Sequence, residues 1–335
     1  MKTAVVILNW NGKKILEQFL PSVIQHSSDA SVIVADNGST DDSVSFLEKN
    51  FPRVKVLRSD KNKGFAGGYN EALKQVNAEY YILLNSDVEV TENWIKPLID
   101  LMDSDKKIAA CQPKIQSWSD KRMFEYAGAA GGFIDRYGYP FCRGRIFDSL
   151  EEDNGQYDDT IEIFWATGAC MFLKADIFWK VGGFDEDFFA HMEEIDLCWR
   201  MKNLGYKIMY AGDSHVYHVG GGTLQKSNPL KTYLNFRNNL MMLIKNTEGF
   251  ELFRILFIKA ILDDLAQVRF LLSGNFKDFV AVQKAQFYVL FNFFRIKKKR
   301  KTVNKNISGI YKHSIVADYF LRGKKKYTDL DIQRN

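Results

Sequence analysis

Apolar residues in the first part of the chain fall into short runs, each ending at a polar turn. Val5-Val6-Ile7-Leu8 closes on Asn9-Trp10-Asn11-Gly12, and Val32-Ile33-Val34-Ala35 closes on Asp36-Asn37-Gly38. Val54-Lys55-Val56-Leu57 is a shorter run, and Tyr80-Tyr81-Ile82-Leu83-Leu84 closes on Asn85-Ser86-Asp87. Unbroken runs of this length predict strands buried on both faces. Helices are predicted between them at 13–25, 43–49 and 71–76, the last after a glycine-rich loop from Lys61 to Asn70. The alternation predicts an α/β fold, a mostly parallel, Rossmann-like sheet with helices on both faces.

In open α/β sheets ligands bind beyond the C-terminal ends of the strands. Asp36 leaves the second strand beside the exit of the first, which favours contact with a base or ribose over a plain turn residue. Asp87 leaves the fourth, with two readings: a cap for a helix starting at Thr91, or a ligand to a divalent cation. Ions such as Mg²⁺ take one or two protein carboxylates and leave other positions to water and phosphate oxygens. The loop from Gly64 to Gly68 has neither G-x-G-x-x-G spacing nor a G-K-[ST] ending, which argues against a dinucleotide fold and a P-loop.

Residues 118–160, with scattered glycines and aromatics, predict a loop-and-hairpin insertion that either shapes a pocket or serves as a flap. A second acidic centre follows. Asp185-Glu186-Asp187 precedes Phe188-Phe189, and Glu193-Glu194 open a helix running to about Leu204. Carboxylates in a first helical turn meet its positive end, which favours the ionised form a general base requires. Asp196 and Arg200 are spaced to pair on that helix. His218, before Gly220-Gly221-Gly222, is either a metal ligand or a loop residue; the glycines allow loop closure over a donor.

From Phe250 the alternation gives way to long aromatic-rich helical segments, at about 250–266 and 279–294. Charges interrupt both, so neither is expected to span a bilayer. From 295 to 335 there are 13 Lys and Arg against 3 Asp and Glu, a net +10; the whole chain is +5, which leaves −5 for residues 1–294. The basic end reads as a separate electrostatic object. An aromatic helix running into six Lys and Arg at 295–301 suits the surface of an anionic leaflet, the other reading being a helical cap packed on the core with a solvated basic tail. Because the aromatics precede the charges rather than interleave with them, nucleic acid is not the expected partner. Four separated cysteines and no charged-then-apolar leader point to a reducing compartment and no signal peptide.

The ordered series Val6 to Gly12, Asp36 to Asp41, Asn62 to Gly68, Leu84 to Asp87, Trp165 to Cys170, Gly182 to Phe189 and Glu193 to Arg200 resembles the family 2 glycosyltransferases. Within them it is similar to the rhamnosyltransferase-like branch that builds bacterial surface polysaccharides. The resemblance covers about residues 1–245 and implies a GT-A-type catalytic domain there, followed by a helical, basic, membrane-proximal segment over 246–335. It implies an inverting transfer of a sugar, rhamnose among the candidates, from a nucleoside diphosphate sugar to a hydroxyl of a lipid-linked or oligosaccharide acceptor. The implied donor-binding residues are Asn9, Trp10, Asn11, Asp36, Asn62, Gly64, Gly68, Ser86 and Arg237. The implied ligands for a divalent metal, Mn²⁺ or Mg²⁺, are Asp87 and His218. Asn85 stands where the family's first metal-motif Asp is common. Glu194 matches the base that deprotonates the acceptor, with Glu193 as the alternative; the family usually has Asp there. The implied location is cytoplasmic, peripheral at the cytoplasmic face of the membrane. A sugar-phosphate nucleotidylyltransferase and a non-catalytic assembly subunit of the same fold are the rival readings.

Overall fold

A computed structural model of the chain describes residues 1–220 and 228–332. The N-terminal half builds strands and helices in turn: β1 (Thr3–Asn9), α1 (Lys13–His26), β2 (Ser31–Asp36), α2 (Ser43–Asn50), β3 (Lys55–Arg58), α3 (Gly64–Leu73), β4 (Tyr80–Asn85), β5 (Val88–Val90), α4 (Lys96–Ser104) and β6 (Ile108–Ser117). Strands β1 and β4, and β2 from Ile33 onward, are almost wholly buried, as unbroken apolar runs require, and two apolar clusters fill the space against their helices.

Three elements differ from the sequence pattern. The glycine-rich stretch is helix α3 itself, beginning at Gly64 rather than near Glu71. Helices usually avoid glycine, but a Cβ at Gly68 would lie 2.9 Å from both Leu8 Cδ1 and Asn37 Nδ2. The close approach of helix to sheet requires the bare backbone there. Second, no helix starts at Thr91; residues 88–90 form β5 and pair with the strand that ends at His218, so Asp87 caps nothing.

Third, the sheet is mixed rather than mostly parallel. After the small strands β7 (Gly132–Asp135), β8 (Pro140–Cys142), β9 (Arg145–Ile146) and β10 (Ser149–Leu150) come β11 (Thr160–Ile163), β12 (Cys170–Lys174), α5 (Ala175–Lys180), α6 (Glu193–Asn203) and β13 (Lys207–His218). Among the described residues the main sheet runs β11-β13-β6-β12-β4-β1-β2-β3, with β5 on β13. Pairs β3–β2, β2–β1, β1–β4 and β6–β13 are parallel; β12 runs antiparallel to both β4 and β6. It enters from the insertion rather than from a helical crossover, and only the crossover forces a parallel strand.

The predicted insertion folds as the small sheet β10-β9-β8-β7, completed by a strand from the far end of the chain, β14 (Ile310–Tyr311). Before β14 come α7 (Pro229–Asn246), α8 (Gly249–Leu272) and α9 (Phe276–Lys298), and after it α10 (Ile315–Phe320). The basic block is not electrostatically separate. Arg295 and Lys299 pair with Asp187, Lys299 also with Asp185, and Arg300 donates to the Ile244 carbonyl. Among the described residues no helix is long and apolar enough to cross a membrane.

Candidate active site

Parallel pairing places Asn9 opposite Asp36 and Leu8 opposite Asn85, so β2, β1 and β4 end along one edge. The buried Asn9 donates through Nδ2 to Asp36 Oδ1 at 3.1 Å and Ser39 Oγ at 3.2 Å, and the Ser39 amide donates to Asp36 Oδ2 at 3.0 Å. Asn11, at φ +51°, accepts from the amides of Thr40 and Asp41 through Oδ1. Trp10 between them is 46% exposed, a large ring left in solvent where a flat ligand could cover it. Asn37 Nδ2 donates to Asn62 Oδ1 and to the Gly64 carbonyl, which joins the second strand end to the start of α3. The expected donor residues Asn9, Trp10, Asn11, Asp36, Asn62, Gly64 and Ser86 are thus grouped along this edge; Gly68 lies one turn deeper, packed on Asn37.

At the other side of β4, β5 and β13 bring Asp87 to His218. Nε2 of His218 lies 3.1 Å from Asp87 Oδ1, and Nδ1 lies 3.1 Å from Glu125 Oε2. All three side chains are buried. The Glu125 contact is a charge contact rather than an aligned hydrogen bond, because Nδ1 has no aligned partner. Burial alone would lower the imidazole's pKa, but Asp87 and Glu125 outweigh it and push it up to about 10. Burial likewise opposes ionisation of Asp87, and His218 holds its carboxyl below the usual range. Glu125 carries no signal in the sequence. It sits in the insertion and reaches the site only because its amide bonds to the Ile115 carbonyl on β6, beside β13.

No group of three His, Cys, Asp or Glu side chains converges as a ready metal cage among the described residues. A carboxylate and an imidazole at a strand end nonetheless fit a divalent ion that displaces the second imidazole proton, with its remaining positions left to phosphate and water. The glycine run expected to close over the donor lies outside the described residues beyond Gly220.

The acidic centre is a loop followed by α6. Phe189, His191 and Met192 all have left-handed backbones, at φ +64°, +70° and +72°. Such residues cost roughly 1–3 kcal/mol each and persist only where the surroundings hold them. Here α7 does so: Asn238 Nδ2 donates to the carbonyls of Phe188, Ala190 and His191, and Arg237 Nη2 to those of Asp187 and Phe188. Arg237, expected among the donor-binding residues, is buried with its guanidinium directed at this loop and packed against Tyr233 and Tyr288. From the other side the Phe65 and Ala66 amides donate to the Phe189 carbonyl at 2.7 and 3.3 Å. These two amides near the start of α3 therefore join the edge where β1, β2 and β4 end to the acidic loop.

Glu193 and Glu194 begin α6. Glu193 is buried, Glu194 is half-buried, and each has one oxygen without a partner. Burial pushes the Glu194 carboxyl up to about 7, opposed by amides of the helix start. Burial, then Glu194 and Asp196, raise Glu193 well above the usual range. The expected Asp196–Arg200 pair is present at 2.8 Å, within a buried network the sequence did not reveal: Lys245 Nζ bridges Asp196 and Asp185 at 2.8 and 2.7 Å. Burial would raise the Asp185 carboxyl, but Lys245 and Lys299 hold it down at about 2.

Among solved structures the chain is similar to GalNAc-T7 with UDP, GalNAc and Mn²⁺ (TM-score 0.58, 17% identity, 75% of this chain and 49% of that one). It also matches a mannosyltransferase from Pyrobaculum calidifontis in complex with GDP-Man and Mn²⁺ (TM-score 0.52, 12% identity, 89% and 83%). The fold is that of the GT-A glycosyltransferases, and the chain spans about half the length of the first of these structures. By sequence it is 26% identical over 231 residues to the N-acetylglucosaminyl-diphospho-decaprenol L-rhamnosyltransferase of Mycobacterium tuberculosis, covering 64% of this chain and 75% of that protein. It is 22% identical over 247 residues to a low-salt glycan biosynthesis hexosyltransferase of Haloferax volcanii, covering 71% and 74%. The sequence model of glycosyl transferase family 2 matches residues 4–182, more than half of the chain, which therefore belongs to that family.

Proposed function

We propose that this chain is an inverting transferase that moves a sugar, rhamnose among the candidates, from a nucleoside diphosphate sugar to a hydroxyl of a lipid-linked saccharide. The observation that carries this reading is the Phe189 carbonyl, which takes the Phe65 and Ala66 amides near the start of α3 and thereby sets the Glu193–Glu194 helix start against the edge where β1, β2 and β4 end. Glu194 is the base: it is the more open of the two carboxylates, and its affinity for a proton is matched to neutral pH. As the acceptor oxygen forms its bond to the anomeric carbon, its proton passes to Glu194. The bond from that carbon to the diphosphate breaks on the opposite face, and its electron pair leaves with the nucleotide.

Asn9, Asp36 and Trp10 hold and cover the nucleotide. Asp87 and His218 are the residues that would hold Mn²⁺ or Mg²⁺, which when bound supplies positive charge to the departing diphosphate. Support for a lipid-linked acceptor comes from the mycobacterial relative, whose name specifies a decaprenyl diphosphate substrate. The enzyme works at the cytoplasmic face of a membrane, an assignment supported by the basic, aromatic end of the chain.

The test is release of nucleoside diphosphate from a panel of nucleotide sugars, with Mn²⁺ and with EDTA, by wild type and Glu194→Gln. One donor should be turned over by wild type with metal, and acceptor-dependent transfer should vanish in Glu194→Gln while calorimetric donor affinity stays within a few-fold. Transfer that survives Glu194→Gln but not Glu193→Gln moves the base by one residue; survival in both overturns the mechanism.

A further inference from the structure

Helices α8 and α9 form a hairpin whose inner face is mixed in character and whose outer face is apolar. Leu252, Ile255, Lys259, Asp263 and Gln267 of α8 point inward, with the Lys259–Asp263 pair fully covered and the Tyr139 hydroxyl bonded to it. Along the outside, large apolar residues recur at every third or fourth position of α8. Phe253, Phe257 and Leu265 are 66%, 61% and 60% exposed. Helix α9 continues the pattern with Leu290, Phe291 and Phe294 at 68%, 82% and 76%. This reverses the usual arrangement of a surface helix, whose outer face is polar.

The surrounding charge selects the occupant. Arg269, Lys284, Lys297 and Lys298 are exposed and have no carboxylate partner among the described residues. Over residues 249–300, setting aside Arg295, Lys299 and Arg300, which turn to the body, there are 7 Lys and Arg against 4 Asp and Glu, a net +3. Contact with a second copy through this face would bring cation-rich surfaces together, whereas an anionic bilayer accepts both the side chains and the charge. Neither helix can cross such a bilayer, so each would lie along it. The last turn of α9 is meanwhile engaged on its other side: Arg295 and Lys299 grip Asp187 and Asp185, a few residues before the candidate base.

We propose that the outer face of the α8–α9 hairpin is a membrane-docking surface for anionic phospholipid, with α8 as its principal contact. It rests on the reading that the acceptor is lipid-linked, and it assigns the work of the 295–301 basic block differently: Arg295, Lys299 and Arg300 hold the catalytic body, while Lys297 and Lys298 face the headgroups. Docking through this face would deliver the lipid-carried acceptor to the loop that α9 grips.

The experiment is co-sedimentation of the full chain with phosphatidylglycerol-containing vesicles and with phosphatidylcholine vesicles, without donor or acceptor. Wild type should pellet with the anionic vesicles and weakly with the neutral ones. Phe253→Ser, Phe257→Ser and Leu265→Ser combined should reduce pelleting at least tenfold. Lys297→Gln with Lys298→Gln should leave binding that responds less to salt. Donor hydrolysis in solution should be equal in wild type and the triple variant, which shows the fold intact. Vesicle binding unchanged in the triple variant overturns the proposal. So does a wild-type dimer in light scattering that the triple variant abolishes, with no vesicle binding by either. Vesicle binding by a protein that turns over no nucleotide sugar would sustain the docking surface and overturn only the transferase reading.

Discussion

Lys299 Nζ lies 2.6 Å from Asp185 Oδ1, so the residue that caps α9 reaches into the turn leading to the candidate base. On the other side of the same carboxylate is Lys245, at 2.7 Å from Oδ2. One acid thus takes two lysines that differ mainly in burial. Lys245 is almost wholly covered, and Lys299 is about a third exposed.

That difference sets the first prediction. Lys245→Met leaves Asp185 and Asp196 buried without their shared cation and should cost about 3–5 kcal/mol. Lys299→Met removes a contact that water already screens and should cost about 1 kcal/mol or less. Urea denaturation of the two variants measures both, and equal losses would mean that the network does not work through burial.

The glutamate pair makes activity and stability respond oppositely to pH. Folding raises both carboxyls above their unfolded value of about 4.3. Through Glu194 the folded state therefore holds more protons than the unfolded one between that value and about 7, and Glu193 extends the excess in the same direction. Stability from Glu194 is complete below pH 4 or so and is lost as pH rises through about 7. Transfer, with ionised Glu194 as the proposed base, should rise over the same interval. Glu194→Gln should flatten the decline in melting temperature between pH 5 and 8, by a few degrees at the alkaline end. A slope identical to wild type would show that Glu194 does not titrate there.

Glu125 gives a prediction about metal binding. It contacts His218 Nδ1 and is fixed in turn by the Ala127 amide at 2.5 Å. A carboxylate beside an imidazole ligand raises the ring's basicity through its charge, and loss of such an outer partner typically costs 10–100-fold in metal affinity. Glu125→Gln should weaken Mn²⁺ binding by about that factor in titration calorimetry, in the absence of donor. Asp87→Asn should weaken it further. An unchanged Mn²⁺ affinity in Glu125→Gln would remove it from the site.

Gly64 links the two halves of the site and should not tolerate a side chain. It sits at φ +70°, and a Cβ there would stand 2.4 Å from the Phe189 carbonyl oxygen. Gly64→Ala must push the Phe189 carbonyl off the α3 amides, and with it the loop before Glu193. Turnover should fall at least tenfold while the donor KM changes little, and steady-state kinetics separates the two.

How much of this could be read from the chain depends on the range of the interaction. The strand ends at Asn9, Asp36 and Asp87 were legible because a buried run that stops at a polar turn is a local signal. So was the acidic start of α6. Helix α3 was misread because glycine's propensity argues for a loop, and only the packing of Gly68 on Leu8 and Asn37 overrides it. Sheet direction at β12 was not legible, since nothing in Cys170 to Lys174 records which way the chain approaches. Glu125 and the Asp185–Lys245 bridge were invisible for a related reason: partners sixty or more residues apart leave no periodicity in either segment.

The parallel pairing of Ile310 with Ile134 and Tyr311 with Asp135 has a consequence for the order of events on the ribosome. An edge of the small sheet stays open until more than 170 further residues have been made. Until then Asp135, whose Oδ2 in the finished protein accepts the Ile315 amide, lacks that donor. Closing so long a loop is slow, and a bare strand edge is open to pairing with other chains while it waits. Maturation of this enzyme should therefore end with capture of the 310–320 segment by a body already largely formed. In a timed translation experiment, protease resistance of the insertion should appear only after that segment has emerged.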